Sequence, residues 1–121
     1  SWTSDFGDID NDGDLDMVTT NHDINMQLFL NDGTGHYTEA TAGSGLGING
    51  AFLQSKFEDL DNDGFLDLIT SGNLSGSAEH YFHGNGNGTF TEMPGMLPEP
   101  SPENLQTFAL GDMNHDGFID V

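Results

Sequence analysis

The sequence predicts an all-β protein made of two complete four-stranded repeats and the beginning of a third. Three observations predict this class: an acidic segment recurs at a period just above 50 residues, turn-rich segments separate short β-prone runs, and no window sustains helical apolar spacing. Glycine contributes 17 of the 121 residues, which favours many tight turns over long helices.

The repeat is defined by three acidic segments of nine residues each. They read DIDNDGDLD from Asp8, DLDNDGFLD from Asp59 and DMNHDGFID from Asp112. Apolar residues recur at matching places beside these segments, which predicts that each column belongs to a shared core. The columns are Phe6, Phe57 and Leu110 before the segment, Leu15, Leu66 and Ile119 at its end, and Met17, Leu68 and Val121 just beyond it.

Each complete repeat is predicted to hold four strands. The runs before and after the acidic segment are short and β-prone, as strands bounded by turns should be. The second half of each repeat is predicted to be a hairpin, because residues 31–35 and 85–88 are rich in Asn, Asp and Gly and lie between aromatic and β-branched runs.

These elements divide the chain into four segments. We predict a first blade-like repeat over residues 1–50, a second over 51–93, a proline-rich extended connector over 94–103, and an incomplete third repeat over 104–121. The third repeat reaches only its first strand and acidic loop before the sequence ends at Val121. Either more chain or a neighbouring molecule is expected to complete it.

Charge restricts the partners. One Lys or Arg stands against 21 Asp or Glu, and the formal charge is -20. Phosphate recognition needs clustered basic side chains, so nucleic acid and anionic membrane surfaces are not expected partners. No stretch approaches the roughly 20 apolar residues of a membrane-spanning helix, so membrane insertion is not expected. The absence of cysteine excludes disulfides and thiolate metal sites.

The acidic segments predict about three calcium sites, one in each loop. Alternate side chains of a curled loop converge, and oxygen ligands at this density suit Ca²⁺. Glycine at position 6 permits the sharp turn, and the variable position 7 fits a backbone carbonyl ligand. The predicted side-chain ligands at positions 1, 3, 5 and 9 are Asp8, Asp10, Asp12 and Asp16; Asp59, Asp61, Asp63 and Asp67; and Asp112, Asn114, Asp116 and Asp120. The predicted carbonyl ligands at position 7 belong to Asp14, Phe65 and Phe118.

An EF-hand is a poor alternative. It requires a Glu at position 12, where this sequence has Thr19 and Thr70, and it requires flanking helices. The third calcium site is expected to be the weakest, because Asn114 replaces a carboxylate there. Without a cation, neighbouring carboxylates repel one another by ~1 kcal/mol or more per pair, so cation binding and folding are expected to be linked.

The loop pattern D-x-D-x-D-G-x-x-D, preceded by Phe6-Gly7 in the first copy, resembles the FG-GAP or VCBS repeat of integrin-like β-propellers. The resemblance covers nearly the whole chain outside the connector, although Glu58 replaces the Gly in the second copy. It implies one four-stranded blade per repeat, a Ca²⁺ between the first two strands, and an extracellular or cell-surface setting. Propellers usually need four to eight blades, so we expect either a longer propeller or head-to-tail stacking of copies into a fibre.

The expected function is therefore a secreted, calcium-binding structural or adhesive repeat module whose partners are further repeats or other copies of itself. The alternative is a fragment of a secreted propeller lectin or polysaccharide-acting enzyme, with carbohydrate as its ligand. We predict no catalytic residues and no enzyme activity, since there is no cysteine nucleophile and no G-x-S-x-G elbow. Asn73 and Asn87 begin N-glycosylation sequons and are the candidate positions of a glycoprotein. His80 and His83 flank an aromatic pair and are interpreted as ordinary strand residues, in preference to a transition-metal or general-base role.

Overall fold

The protein forms two antiparallel four-stranded sheets, according to a computed structural model that describes residues 3–21, 25–72, 79–96 and 108–121. This confirms the all-β class and the two four-stranded units, and the described residues contain no helix. In each sheet the strands follow chain order. The first sheet contains β1 (Ser4–Gly7), β2 (Asp16–Thr19), β3 (Gln27–Asn31) and β4 (Tyr37–Glu39). The second contains β5 (Phe52–Glu58), β6 (Asp67–Gly72), β7 (His80–Gly84) and β8 (Phe90–Glu92).

Turn chemistry explains the strand order. The first and second acidic segments each join the first two strands of a sheet, and in the first sheet these strands pair with Gly7 opposite Asp16. The third and fourth strands form the predicted hairpins, closed in the second sheet by a hydrogen bond of 2.9 Å from the Asn85 amide to the Thr89 carbonyl. Gly86 and Gly88 there adopt positive φ, a conformation that side chains rarely tolerate.

The core is shared by the two sheets. One buried apolar cluster draws side chains from both of them and from the segment that joins them. Backbone contacts reinforce the junction, because the Phe90 amide of β8 donates to the Ser44 carbonyl of the joining segment at 2.7 Å. The buried members of the cluster are Ile9, Val18, Met26, Leu28, Leu46, Phe52, Phe57, Leu68, Phe82 and Phe90.

The predicted apolar columns contribute unequally to the core. Phe57 is only 8% exposed and stacks on Phe90, whereas Phe6 in the same column is 50% exposed. Leu15 and Val121 are likewise more than half exposed. Phe57 belongs to the buried cluster that the two sheets share, and Phe6 does not. Columns that match in sequence therefore differ in burial.

The third acidic segment lies against the second sheet. A two-way backbone bridge joins Gly111 and Asp120, with N···O distances of 3.2 and 2.9 Å, and so closes the loop. Ile119 and Val121 line a groove that Ile69 and Tyr81 of the second sheet also line. The proline-rich connector lies outside the described residues from position 97 onward.

We expect Phe57→Ala to lower the free energy of unfolding by about 3 kcal/mol or more, because it leaves a cavity beside Phe90 where the sheets meet. The matched control is Phe6→Ala, whose half-exposed ring should cost less than ~1 kcal/mol. Urea denaturation, followed by far-ultraviolet circular dichroism, measures the free energy of unfolding of both variants. Equal losses would contradict a core shared between the sheets.

Candidate metal centres

The three acidic loops fold in the same way. In each loop the position 1 carboxylate accepts hydrogen bonds from the amides of positions 5 and 6, at 2.9 to 3.1 Å. The position 5 carboxylate accepts one from the position 7 amide, at 2.8 to 3.0 Å. Position 6 is a glycine with φ near +90° in all three loops, and position 4 adopts φ near +60°. The left-handed residues at position 4 are Asn11, Asn62 and His115.

The position 9 carboxylates tie the loops to the sheets. Asp16 is fully buried and accepts from the Ile9 amide at 3.0 Å and from the Asn31 amide at 2.9 Å. Its side chain thereby joins the loop, β2 and the end of β3. Asp67 occupies the equivalent buried place in the second sheet, whereas Asp120 is partly exposed and accepts from the Met113 amide at 2.9 Å.

Ligand-type atoms converge in the first and second loops. Among the described residues, three groups of carboxylates or imidazoles have donor atoms that all lie within 4.8 Å of one another. The third loop carries an amide oxygen at Asn114 in place of one carboxylate, and that oxygen accepts from the Asp116 amide at 2.9 Å. The three groups are Asp8, Asp10 and Asp16; Asp59, Asp61 and Asp63; and Asp61, Asp67 and His83.

The position 7 side chains of the first two loops lie beside hairpin glycines, Asp14 at Gly33 and Phe65 at Gly86. Phe65 and Phe118 are 38% and 53% exposed, and Asp14 is partly exposed. Their backbone carbonyls remain the predicted ligands, as the sequence pattern suggested.

The electrostatic environment of the first loop favours a bound cation. Burial raises the pKa of Asp10 above its ordinary value of 3.8, and the charges of Asp16 and Asp12 raise it further. Burial also raises the pKa of Asp16, against the opposing hydrogen bonds from Asn31 and Ile9. The ionised forms of Asp10 and Asp16 are therefore unfavourable until positive charge is brought beside them.

We expect Asp10→Asn to raise the melting temperature in chelator at pH 7. The raised pKa means that the folded state favours protonated Asp10, so this group's stabilisation is present below pH 3.8 and is lost as pH rises through the folded pKa. The gain should disappear at pH 3, and in saturating Ca²⁺ the variant should be less stable than the parent. Calorimetry at both pH values checks this, and a loss of stability in chelator at pH 7 would contradict it.

Side chains also link the loops to their neighbours. The Asn11 amide nitrogen donates to the Gly86 carbonyl at 3.1 Å, and the Gly88 amide donates to the Ile9 carbonyl at 3.1 Å, so the first loop contacts the hairpin turn of the second sheet. Asn62 in the second loop donates to the Gly117 carbonyl in the third loop at 3.0 Å. The same left-handed position thus makes the contact between neighbouring repeats twice.

The structure gives His83 more than the ordinary strand position that the sequence favoured. His83 does lie on a strand, but its Nδ1 is 3.2 Å from Asp61 Oδ2 and 3.2 Å from Asp67 Oδ1, so its interpretation as an ordinary strand residue is incomplete. The signal was available in the repeat alignment, where His83 replaces Leu30.

The remaining predicted positions divide into described and undescribed ones. Asn87 is exposed in the hairpin turn and its side-chain oxygen accepts from the Thr89 hydroxyl at 2.6 Å, while Asn73 lies outside the described residues. In the described part of the chain, no helix has the length and apolar character required to cross a membrane.

Comparison with known proteins agrees with the loop architecture. A family model described as FG-GAP-like repeat matches residues 8–70 and again residues 59–121. Neither the curated proteins nor the solved structures that were compared gave a match. Because the two family matches together reach from the first acidic loop to the last described residue, and because each complete repeat forms one four-stranded sheet, the chain belongs to the FG-GAP-like repeat family.

Proposed function

We propose that the protein is a calcium-binding structural or adhesive repeat module of an extracellular protein, built as part of a β-propeller-like array. The observation that carries the proposal is the convergence of the carboxylate oxygens of Asp8, Asp10 and Asp16 within 4.8 Å, in a loop conformation that recurs in all three repeats. Membership of the FG-GAP-like repeat family supports the same reading.

The donor chemistry favours calcium for the first loop. Its converging side chains offer oxygen alone, and Ca²⁺ takes six to eight oxygen ligands in a flexible geometry. The backbone amides of the loop already bond the same carboxylates, which holds them in place for an ion. Three bound Ca²⁺ would change the formal charge of the chain from -20 to about -14 and so reduce its self-repulsion.

The bound ions would stiffen the array of repeats. Asn11 connects the first loop to the second sheet, and Asn62 connects the second loop to the third loop. Ordering one loop therefore also orders its neighbour. In the first and third repeats, Phe6 and Phe118 each leave about half of the residue exposed. These surfaces suit contact with further repeats of a longer chain or with a second copy stacked head to tail, which would make a fibre if the contacts do not close.

Calcium titration of dialysed protein tests the proposal. We expect isothermal titration calorimetry to count about three Ca²⁺ per chain, with the melting temperature rising as the sites fill, because ions that bind only the folded state stabilise it. Elemental analysis after gel filtration provides an independent count. Folded protein that binds no Ca²⁺ at millimolar concentration would refute the proposed function.

A further inference from the structure

We propose that the second loop, unlike the first, also accepts a first-row transition-metal dication such as Zn²⁺, with His83 as its nitrogen ligand and Asp61 and Asp67 as carboxylate ligands. The proposal rests on the proposed function, since it assumes that these loops bind cations, and it assigns the second loop a different metal preference.

The three donors come from three different elements and meet at one place. Asp61 belongs to the acidic loop, Asp67 begins β6 and His83 lies on β7. The Nδ1 atom of His83 lies 3.2 Å from an oxygen of each carboxylate, and its Nε2 atom lies 3.7 Å from Asp63 Oδ2. A nitrogen donor is therefore aimed into an oxygen cluster and is not directed at solvent.

The spacing suits a small divalent ion. Zn²⁺ binds imidazole nitrogen and carboxylate oxygen at about 2.0 to 2.2 Å, so neighbouring ligand atoms in its shell lie about 3 to 3.5 Å apart. The two nitrogen-to-oxygen distances of 3.2 Å fall in that range. Imidazole suits Zn²⁺, Cu²⁺ and Ni²⁺, whereas Ca²⁺ prefers oxygen, so a histidine in the cluster shifts the preference toward transition metals.

The first repeat provides an internal comparison. Met17 pairs with Phe29 in the first sheet as Leu68 pairs with Phe82 in the second, so the residue after each phenylalanine is equivalent. That residue is Leu30 in the first repeat. The fold of the loop is the same in both repeats, and the nitrogen donor is specific to the second.

A second substitution on β7 supports the ligand role of Asp67. By the same register Tyr81 replaces Leu28, and its hydroxyl donates to Asp67 Oδ2 at 3.0 Å. This bond holds Asp67 in place and leaves its Oδ1 facing His83 and the Gly84 amide. Metal ligands are commonly oriented in this way by an outer hydrogen-bond donor. The His83 side chain is 29% exposed, so an ion can approach from solvent.

The test is a Zn²⁺ titration of dialysed full chain by calorimetry, with a parallel Ca²⁺ titration of the same sample. We expect the tightest Zn²⁺ equivalent to weaken by about tenfold or more in His83→Leu, because a ligand is lost. The substitution places in the second repeat the residue that the first repeat carries, so the fold should tolerate it. His36→Leu, in an exposed hairpin turn, is the matched control and should leave Zn²⁺ affinity unchanged.

A second measurement needs no variant. In a long-range ¹H–¹⁵N spectrum, Zn²⁺ should shift the Nδ1 signal of His83 to the range of a metal-bound nitrogen. Unchanged Zn²⁺ affinity in His83→Leu, or a His83 signal that does not move, would overturn the inference and leave His83 as an ion-pair partner of the carboxylates. Normal Ca²⁺ binding in that case would leave the proposed function intact, whereas absence of Ca²⁺ binding would be a failure of the proposed function itself.

Discussion

Asp67→Ala is expected to lower the free energy of unfolding by about 3 kcal/mol or more, the largest effect among the loop carboxylates. Asp67 is fully buried and accepts from the Leu60 amide at 3.0 Å, the Tyr81 hydroxyl at 3.0 Å and the Gly84 amide at 2.8 Å. Truncation leaves these donors without their acceptor, and each buried donor so stranded costs about 1 to 3 kcal/mol. Chemical denaturation in chelator measures the loss without a contribution from a bound ion.

The equivalent residue of the third loop is the control. Asp120 is partly exposed and its carboxylate accepts one backbone hydrogen bond, from Met113 at 2.9 Å, so Asp120→Ala should cost ~1 kcal/mol or less. Asp63→Ala in the second loop should damage folding in Ca²⁺ more than Asn114→Ala in the third, because it removes a predicted carboxylate ligand, whereas Asn114 offers only a neutral amide oxygen. Equal losses of stability in Asp67→Ala and Asp120→Ala would show that the buried hydrogen bonds of Asp67 do not stabilise the fold.

Gly45→Ala is expected to lower the free energy of unfolding by about 3 kcal/mol and to loosen the packing of the joining segment on the second sheet. Gly45 has φ of +90°, and a Cβ built on it would overlap the backbone carbonyl of Phe90. A left-handed conformation costs an L-residue roughly 1 to 2 kcal/mol, and overpacking against backbone costs about 1 to 3 kcal/mol more. The neighbouring contact from the Phe90 amide to the Ser44 carbonyl, at 2.7 Å, gives the backbone little freedom to move away.

Gly43→Ala separates these two costs. Gly43 has a similar φ of +83°, but nothing lies within 4 Å of where its Cβ would be. Gly43→Ala should therefore lose only the ~1 kcal/mol that a left-handed backbone conformation costs an alanine. The difference in melting temperature between Gly45→Ala and Gly43→Ala reports the clash with the Phe90 carbonyl alone. Equal melting temperatures would show that the joining segment does not pack closely on the second sheet.

Features that depend on local chemistry were predictable from the sequence. The acidic loops, the positive-φ glycines and the hairpins at 31–35 and 85–88 each follow from residue types within about ten positions of one another. Repetition strengthened these inferences, because the same residue pattern recurs and predicts the same backbone conformation each time. The four strands of each repeat and the family resemblance were confirmed on this basis.

Features that depend on neighbours in space were not predictable. Phe6 and Phe57 occupy the same place in the repeat, yet only Phe57 is buried in the core that the two sheets share, because burial depends on what packs against that face. His83 is separated from Asp61 by a whole strand and a connection, and its approach to the carboxylates follows from the register of β6 and β7.

The difference has one physical reason. A turn or a ligand loop is specified by short-range sterics and charge, which are written into consecutive residues, and this chain repeats them three times. Burial and the meeting of distant donors depend on long-range packing, which places identical segments in different surroundings. The loops and strands could therefore be predicted from the amino-acid order. The unequal burial of Phe6 and Phe57 depends on the core that the two sheets share, and the approach of His83 to its carboxylates depends on the pairing of β6 with β7.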